Sequence, residues 1–292
     1  MVDRERIKLW FAGARPKTLG AAVSPVLVGT AVASRYDSVV LWRAGLALLV
    51  ALALQVGVNY ANDYSDGVRG VDVQRRGPVR LTASGLAAPG QVKAAAVVAF
   101  AVAALAGVAL AVVVDLRLLL VGAVAVAAGA LYSGGPRPYA SAGLGELSVL
   151  VFFGLVATCG SAYVQIERVP ALAVAGAFAV GLLACAILLV NNLRDVETDA
   201  ASGKRTLAVR VGATKARRLY EGSVVGGLGA GIGMAVVAPG ALLGLAAVPL
   251  AVNPVRLVAR RRDAPSLVAA LVATARLQLV FSALLAMGLW AL

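Results

Sequence analysis

Long apolar runs, each close to the length that crosses a bilayer, recur along the whole chain and constrain its fold. One transmembrane helix needs about 20 apolar residues, and lipid tolerates only helices or closed barrels. The runs are continuous and rich in Ala, Leu and Val, whereas barrel strands alternate. The 292 residues are 61% hydrophobic, compared with roughly 45–50% in soluble domains. We therefore predict an all-α, polytopic membrane protein.

The apolar runs predict nine transmembrane helices in a single domain spanning residues 1–292. The predicted spans are residues 18–34, 42–62, 90–113, 117–132, 145–164, 171–192, 216–237, 240–257 and 267–290. The glycines of the seventh span favour close helix packing. Two pseudo-repeat halves are expected, at about 15–140 and 141–257, followed by a ninth helix at 267–290.

The basic residues predict the orientation. With the N-terminus in the cytoplasm, 22 Lys and Arg residues fall on cytoplasmic segments and 4 on the other side. The net charge of +13 is thus explained by a cell membrane, without nucleic acid as a partner. Residues 1–13 read as an amphipathic helix on the membrane surface, and no cleavable signal peptide is evident.

Two polar motifs end apolar runs on the predicted cytoplasmic side. In the first, Asn59, Asp63 and Asp66 have spacings i, i+4 and i+7, so they are expected to share one helix face. Asn191 and Asp195, followed by Asp199, repeat this design 132 residues later. Carboxylates at membrane helix ends are costly and usually serve ions or substrates. The sequence therefore predicts a bipartite site between the two halves.

The donor types indicate Mg²⁺ and a phosphorylated substrate. The chain has no histidine, so a metal would be held by oxygen. Mg²⁺ typically takes one or two carboxylates and completes its shell with substrate phosphates and water. The amides of Asn59, Asn62, Asn191 and Asn192 are suited to metal or substrate. Asp72 is a further candidate, although a loop-turn cap would also explain it.

Basic side chains follow each motif, in the loops Ser65 to Pro89 and Thr198 to Lys215, which are expected to cap the site. Guanidinium groups fit diphosphate oxygens, and cations stabilise a departing diphosphate. The candidates are Arg69, Arg75, Arg76, Arg80, Lys204 and Arg205. The plainer alternative is that pairs such as Arg194 with Asp195 only steady helix ends.

These residues resemble the two aspartate-rich motifs of the UbiA superfamily of intramembrane prenyltransferases. The stretches Gly77–Leu81 and Gly203–Val209 are most similar to its MenA branch, the 1,4-dihydroxy-2-naphthoate polyprenyltransferases of menaquinone synthesis. The resemblance runs from about residue 10 to 215. It implies a nine-helix UbiA-type bundle with cytoplasmic cap loops, in the plasma membrane of a bacterium.

The resemblance also implies roles for individual residues. Metal ligands and catalytic carboxylates would be Asp63, Asp66, Asp195 and Asp199, with Asn59 and Asn191 as further metal ligands for Mg²⁺-diphosphate. Diphosphate or acceptor contacts would come from Arg15, Arg75, Arg76, Arg80, Arg137, Lys204 and Arg205. The ring of Tyr132 would stabilise an allylic cation.

The reaction implied is transfer of a polyprenyl group from polyprenyl diphosphate to 1,4-dihydroxy-2-naphthoate, with loss of CO₂ and diphosphate, giving demethylmenaquinol. Membrane lipid would surround the polyprenyl tail. Another acceptor, such as 4-hydroxybenzoate, homogentisate or a sugar phosphate, is the alternative within the superfamily. A CDP-alcohol phosphotransferase is disfavoured because its single longer motif is present only as a fragment. A transporter is the alternative without an enzyme activity, since repeats with polar residues in the membrane also suit that class.

Overall fold

The computed structural model describes residues 2–70 and 80–291, which form helices, turns and loops without any strand. The α-helices in chain order are α1 (Val2–Gly13), α2 (Pro16–Ser34), α3 (Leu41–Val68), α4 (Pro89–Val113), α5 (Leu118–Ser133), α6 (Gly145–Ile166), α7 (Ala171–Arg194), α8 (Val196–Ala201), α9 (Leu207–Val211), α10 (Ala213–Met234), α11 (Pro249–Arg260) and α12 (Ala264–Ala291). Two 3₁₀ helices, Ala140–Ala142 and Pro239–Ala247, join this set. The all-α prediction is confirmed.

Six of the described helices are long and apolar enough to cross a bilayer: α2, α3, α4, α6, α7 and α12. A bent pair, Pro239–Ala247 with α11, brings the number to seven if it counts as one span. The other two predicted spans coincide with α5, an apolar helix of only 16 residues, and with α10, which begins in a basic segment. The chain is a multi-pass membrane protein, and the count of nine spans stays a prediction.

The larger core lies between α2, α7, α10 and α12. Small residues allow these helices to approach closely, as membrane helices commonly do. A Cβ on Gly227 of α10 would stand 2.9 Å from the Ala179 carbonyl oxygen of α7, and one on Gly231 would stand 2.9 Å from the Phe281 ring of α12. The predicted packing role of the glycine-rich span is confirmed at these two positions.

The other side of the bundle, formed by α3, α4 and α5, is more exposed. Its outward faces carry apolar side chains such as Val98, Leu105, Val112 and Leu120, which are more than half exposed. A surface of this kind suits lipid. Because α3 and α5 stand away from α7, an internal chamber opens between the two sides of the bundle.

A second, smaller apolar cluster lies under the segment that precedes α4. Leu81 is 1% exposed and packs with Tyr60 of α3 and Ala14, at the end of α1. The Tyr60 hydroxyl donates a 2.7 Å hydrogen bond to the Trp10 carbonyl oxygen. These contacts join α1, α3 and the segment of residues 80–88 at one end of the bundle.

The predicted loop from Thr198 to Lys215 differs from the structure. It contains most of α8, all of α9 and the start of α10, so much of it is helical. These short helices pack on the bundle, with Ala208 of α9 fully buried in the larger core. Helices this short gain their stability from packing, which local sequence patterns do not reveal.

Candidate active-site chamber

The chamber has a volume of about 800 Å³ and is lined by α2 to α7, with Leu271 of α12. Its far end reaches Leu110 of α4 and Leu118 of α5, and its other end reaches Asp66 and Tyr132. The α5 lining alone, from Leu118 to Tyr132, extends roughly 20 Å along the helix axis. The chamber therefore runs through much of the thickness of the bundle.

Most of the chamber wall is apolar. Residues from α3 and α6 dominate its middle, including Val50, Leu54, Phe152 and Phe153. A π-helical turn at Leu150–Val156 interrupts α6 where these phenylalanines line the wall. Such turns are frequent at functional sites in helices.

Polar side chains are concentrated at one end. Ten of the predicted site residues line the chamber there: Arg15, Asn59, Asn62, Asp66, Arg80, Tyr132, Asn191, Asp195, Asp199 and Lys204. They come from the α1–α2 junction, the ends of α3, α5 and α7, α8, and the segments before α4 and α9. Both motifs thus contribute to one chamber.

Arg15 lies at the junction of α1 and α2 in an unusual backbone conformation. Its φ of 56° falls in the left-handed region, which is strained for a residue other than glycine. The flanking chain is fixed by Asn59, whose Nδ2 donates a 2.9 Å hydrogen bond to the Ala14 carbonyl oxygen. Strained residues of this kind cluster at functional sites.

Asn62 connects two guanidinium groups in the chamber. Its Oδ1 accepts a hydrogen bond from Arg15 Nη2 and another from Arg80 Nη2, both at 2.9 Å. Its Nδ2 donates to Asp66 Oδ2 at 3.1 Å. Arg80 is only 6% exposed. Two cationic forks are therefore held side by side next to the first motif.

Lys204 brings a third cation from the second half of the chain. Its Nζ lies 2.8 Å from Asp66 Oδ2, in an ion pair that joins residues 138 positions apart. The Asp66 side chain is 3% exposed and that of Lys204 is 17% exposed. This pair closes the polar end between α3 and the segment before α9.

Asp63 is engaged differently from its neighbours. Its two carboxylate oxygens accept hydrogen bonds from the backbone N–H groups of Leu81 and Thr82, each at 2.9 Å. Asp63 is 1% exposed and does not line the chamber. In the structure Asp63 anchors the segment that follows Arg80 and so fixes the backbone position of Arg80.

The chamber-facing row of α3 is Asn59, Asn62 and Asp66, at i, i+3 and i+7. This row differs from the predicted one, which had Asp63 in the place of Asn62. Both i+3 and i+4 fall within one face of a helix, so spacing alone allows either residue. Contacts with residues 80–82 decide which of the two side chains faces the chamber. These tertiary contacts cannot be read from the spacing of residues within α3.

The second motif is held by its own neighbour. Arg194 donates to both oxygens of Asp195, at 2.7 and 2.6 Å, and to Asn191 Oδ1 at 2.9 Å. The Arg194 and Asp195 side chains are 3% and 7% exposed. The pair proposed as the plainer alternative is therefore present, and it is buried at the chamber wall.

Asp199 and Asn192 have different positions relative to the chamber. Asp199 lines it from α8, while its backbone carbonyl accepts a 2.9 Å hydrogen bond from the Lys204 N–H. Asn192 does not line the chamber, and its Nδ2 donates to Glu146 Oε1 at 2.9 Å. The carboxyl group of Glu146 is thus a polar neighbour that the motif analysis missed.

Three predicted basic contact residues, Arg69, Arg137 and Arg205, lie away from the chamber lining, and three predicted site residues lie outside the described residues. Arg137 and Arg205 are exposed and do not line the chamber. Asp72, Arg75 and Arg76 belong to residues 71–79, which the structure does not describe. Arg69, expected near diphosphate, donates instead to the Ser133 and Gly135 carbonyl oxygens, at 3.0 and 2.5 Å.

Tyr139 supports the position of Tyr132. The two rings meet edge to face with centroids 5.6 Å apart. The Tyr139 hydroxyl donates a 2.8 Å hydrogen bond to the Ala128 carbonyl oxygen. Burial raises the pKa of the Tyr139 phenol, which keeps it a neutral donor.

The described carboxylates do not form a protein-only metal cage. Among residues 2–70 and 80–291, no three acidic or cysteine side chains come together as a metal site. Asp66, Asp195, Asp199 and Asn191 nevertheless present oxygen donors to the same chamber. This donor set fits Mg²⁺, which usually completes its coordination with phosphate oxygens and water.

The chain is a membrane-embedded helical protein whose chamber joins a charged, polar end to a long apolar interior. The chain belongs to the UbiA prenyltransferase family, whose model matches residues 22–280.

Known proteins are similar over most of the chain. The 1,4-dihydroxy-2-naphthoate octaprenyltransferase of Mycobacterium tuberculosis is 47% identical over 252 residues, which cover 85% of this chain and 86% of that protein. The Escherichia coli protein of the same name is 39% identical, covering 76% and 75%. A solved UbiA homolog from Archaeoglobus fulgidus bound to GPP and Mg2+ has a TM-score of 0.66 at 16% identity, covering 94% and 99%. That last likeness shows the fold.

Proposed function

We propose that the protein transfers a polyprenyl group from polyprenyl diphosphate to 1,4-dihydroxy-2-naphthoate, releasing CO₂ and diphosphate and forming demethylmenaquinol. The observation that carries the proposal is the chamber itself, which joins a cation- and carboxylate-lined end to a long apolar interior. The relatives named for this activity support the choice of acceptor.

The diphosphate is proposed to bind at the polar end. Arg15 and Arg80 converge on Asn62, and Lys204 reaches Asp66, so three cations stand within one hydrogen-bonded network. Guanidinium forks suit diphosphate oxygens, and buried cations favour the charge that develops as diphosphate leaves. Arg75, Arg76, Arg137 and Arg205 stay candidates for additional contacts.

Mg²⁺ would be held by Asp66, Asp195 and Asp199, with Asn59 and Asn191 as further oxygen donors. When bound, the metal neutralises charge on the diphosphate. Asp63 is a weaker candidate because both of its oxygens already accept backbone hydrogen bonds. Asp72 remains a candidate from the residues outside the described part of the chain.

The apolar interior is proposed to hold the polyprenyl tail and to keep water from the allylic cation. Phe152, Phe153 and the aliphatic side chains of α3 offer no nucleophile there. The Tyr132 ring lies at the polar end, where a cation would form, and an aromatic face stabilises positive charge.

The proposed reaction balances without an oxidant. The bond between the allylic carbon and the diphosphate oxygen breaks, and its electron pair leaves with diphosphate. The attacking atom is the ring carbon that bears the carboxylate, and it forms a bond to the allylic carbon. Loss of CO₂ then returns its bonding pair to the ring and restores aromaticity, so no ring proton has to be removed.

The orientation that we propose for the protein in the membrane follows from the distribution of its basic residues. We propose that the polar end faces the cytoplasm of a bacterium, because 22 of the basic residues fall on that side of the predicted topology. Halves at about 15–140 and 141–257 would then face each other across the chamber. Lipid would meet the apolar faces of α4 and α5.

The test uses the full-length protein reconstituted in lipid vesicles. Polyprenyl diphosphate is supplied with either 1,4-dihydroxy-2-naphthoate or 4-hydroxybenzoate, and the prenylated product is measured with Mg²⁺ and with EDTA. Product from the naphthoate alone, abolished by EDTA, is the expected result. Product from the benzoate alone would contradict the assigned acceptor while keeping the diphosphate site.

A further inference from the structure

One carboxyl group beside the chamber belongs to neither motif. Glu146 lies in the first turn of α6 and is 8% exposed. Its Oε2 is buried and has no hydrogen-bond partner within the described part of the chain. An unmatched carboxylate oxygen in a membrane helix is costly, and ionisable residues there are by default candidates for a functional role.

The other oxygen of Glu146 is fixed by the second motif. Asn192 Nδ2 donates a 2.9 Å hydrogen bond to Oε1. Asn192 follows Asn191 and precedes Asp195 by about one turn, and both of those residues line the chamber. The Glu146 carboxyl group is therefore held next to the second motif with one oxygen unused.

Glu146 does not itself line the chamber but lies directly behind its wall, since a Cβ on the adjacent Gly145 would stand 3.4 Å from the hydroxyl of Tyr132, which lines the chamber. Val149, one turn further along the α-helical start of α6, lines the chamber. On the facing helix α7, Leu188 lies four residues before Asn192 and also lines it. The carboxyl group thus lies behind the chamber wall, one turn from Val149 of α6 and in contact with Asn192 of α7, whose neighbour Asn191 lines the chamber.

The surroundings of Glu146 favour an uncharged hydrogen-bond donor group, such as a hydroxyl, as its contact on a ligand. The three cations of the chamber gather around Asn62 and Asp66 of the first motif. Glu146 forms no ion pair within the described residues, and its near neighbours include the Tyr132 phenol and the Cys185 thiol. A carboxyl group in this position would repel diphosphate and attract an O–H group.

We propose that Glu146 is the acceptor-side binding residue, whose Oε2 accepts the hydrogen bond of a ring hydroxyl on the aromatic acceptor while Asn192 holds Oε1. This inference rests on the proposed function, because it takes the acceptor to be a hydroxylated aromatic ring. A hydroxyl bound to a carboxyl oxygen makes the ring richer in electrons. Attack of the ring carbon on the allylic carbon is then favoured, and the hydroxyl proton stays on its oxygen.

The test variant is Glu146→Gln. The glutamine amide keeps an oxygen for Asn192 and sets an NH₂ group where Oε2 stood, so it donates where the wild type accepts. We expect Glu146→Gln to raise the KM for the naphthoate by roughly tenfold to hundredfold, with the Kd for polyprenyl diphosphate unchanged. Wild-type kinetics in Glu146→Gln would overturn the inference, and so would equal losses of acceptor and diphosphate affinity.

Acceptor analogues sharpen the test. Equilibrium binding of 1,4-dihydroxy-2-naphthoate, 1-hydroxy-2-naphthoate and 4-hydroxy-2-naphthoate is measured by tryptophan fluorescence in wild type and Glu146→Gln. Removal of one hydroxyl should weaken binding to the wild type and have no further effect in the variant. Equal sensitivity in both proteins would contradict the contact.

Two controls distinguish a failure of this inference from misfolding of the variant and from a failure of the proposed function. If Glu146→Gln fails to fold, Glu146→Asp retains a carboxyl group and should keep the wild-type discrimination among the analogues. Loss of that discrimination in a folded Glu146→Asp protein would count against the contact. Wild-type protein that binds the naphthoates but makes no product would contradict the proposed function, while the binding comparison would still decide the role of Glu146.

Discussion

The two aspartate-rich motifs resemble each other in sequence but are held by different kinds of contact. In the first, Asp66 pairs with Lys204, 138 residues away, and Asp63 accepts N–H groups from residues 81 and 82. In the second, Arg194 holds the adjacent Asp195. The first motif therefore assembles the polar end from distant segments, and the second brings its own cation.

This difference separates two aspartates with equivalent spacing. Asp63 and Asp195 each lie four residues after an asparagine, yet only Asp195 lines the chamber. Helix α3 continues to Val68, so Asp63 faces the segment of residues 80–88 from within a helix. Helix α7 ends at Arg194, and Asp195 stands at the break before α8. Asp195, at the end of a helix, faces the chamber, whereas Asp63, inside α3, faces the segment of residues 80–88.

The largest effect is expected from removing charge at the chamber carboxylates. Asp66→Asn and Asp195→Asn should each lower kcat by about 10²–10³-fold, because each removes a charge from the chamber end proposed to hold the diphosphate and its metal. Initial rates at saturating substrates and Mg²⁺ measure the loss, and thermal unfolding in detergent checks the fold. Turnover within about threefold of wild type in either variant would remove that carboxylate from the proposed site.

Asp63 should behave as a structural residue. Asp63→Ala leaves the buried Leu81 N–H without an acceptor, at a cost of about 1–3 kcal/mol, and the partly buried Thr82 N–H at a smaller cost, so its melting temperature should fall by several degrees. Asp63→Asn keeps one acceptor oxygen and should lose less. In both variants Arg80 is less well fixed, so the Kd for polyprenyl diphosphate should rise while kcat at saturation stays within about tenfold.

The matched control for Asp63→Asn is Asp66→Asn, since both replace a buried carboxylate of α3 by an amide. The expected pattern is a loss of stability in the first and a loss of turnover in the second. If Asp63→Asn lost turnover as deeply as Asp66→Asn at an unchanged melting temperature, Asp63 would be acting as a metal ligand. The contrast between Asp63 and Asp195 would then be wrong.

The positions of the membrane helices were predictable because hydropathy is a local property of the sequence. Each predicted apolar span coincides with a helical segment, including the bent Pro239–Ala247 and α11. The helices α8 and α9 were missed because five or six residues carry too little local signal. Their stability depends on packing, as the complete burial of Ala208 illustrates.

The candidate site was predictable as a group of residues and less so in its individual contacts. Two acidic motifs at membrane helix ends point to one site, and ten of the predicted residues line one chamber. The choice between Asn62 and Asp63 depends on tertiary contacts that spacing does not contain. Glu146 was missed because it is a single carboxyl group outside both motifs. The available signal was a charged residue inside a predicted apolar span.

The smallest expected effect is a difference in diphosphate affinity between variants of two adjacent basic residues in the second half of the chain. Lys204 lines the chamber and pairs with Asp66, whereas Arg205 is exposed and does not line it. Lys204→Ala should raise the Kd for polyprenyl diphosphate by roughly tenfold, because it removes a buried charge-assisted contact. Arg205→Ala should change it by less than about twofold, as an exposed charge contributes little. Binding titrations at two salt concentrations measure both variants, and equal losses would mean that Arg205 reaches the diphosphate as the family resemblance implied.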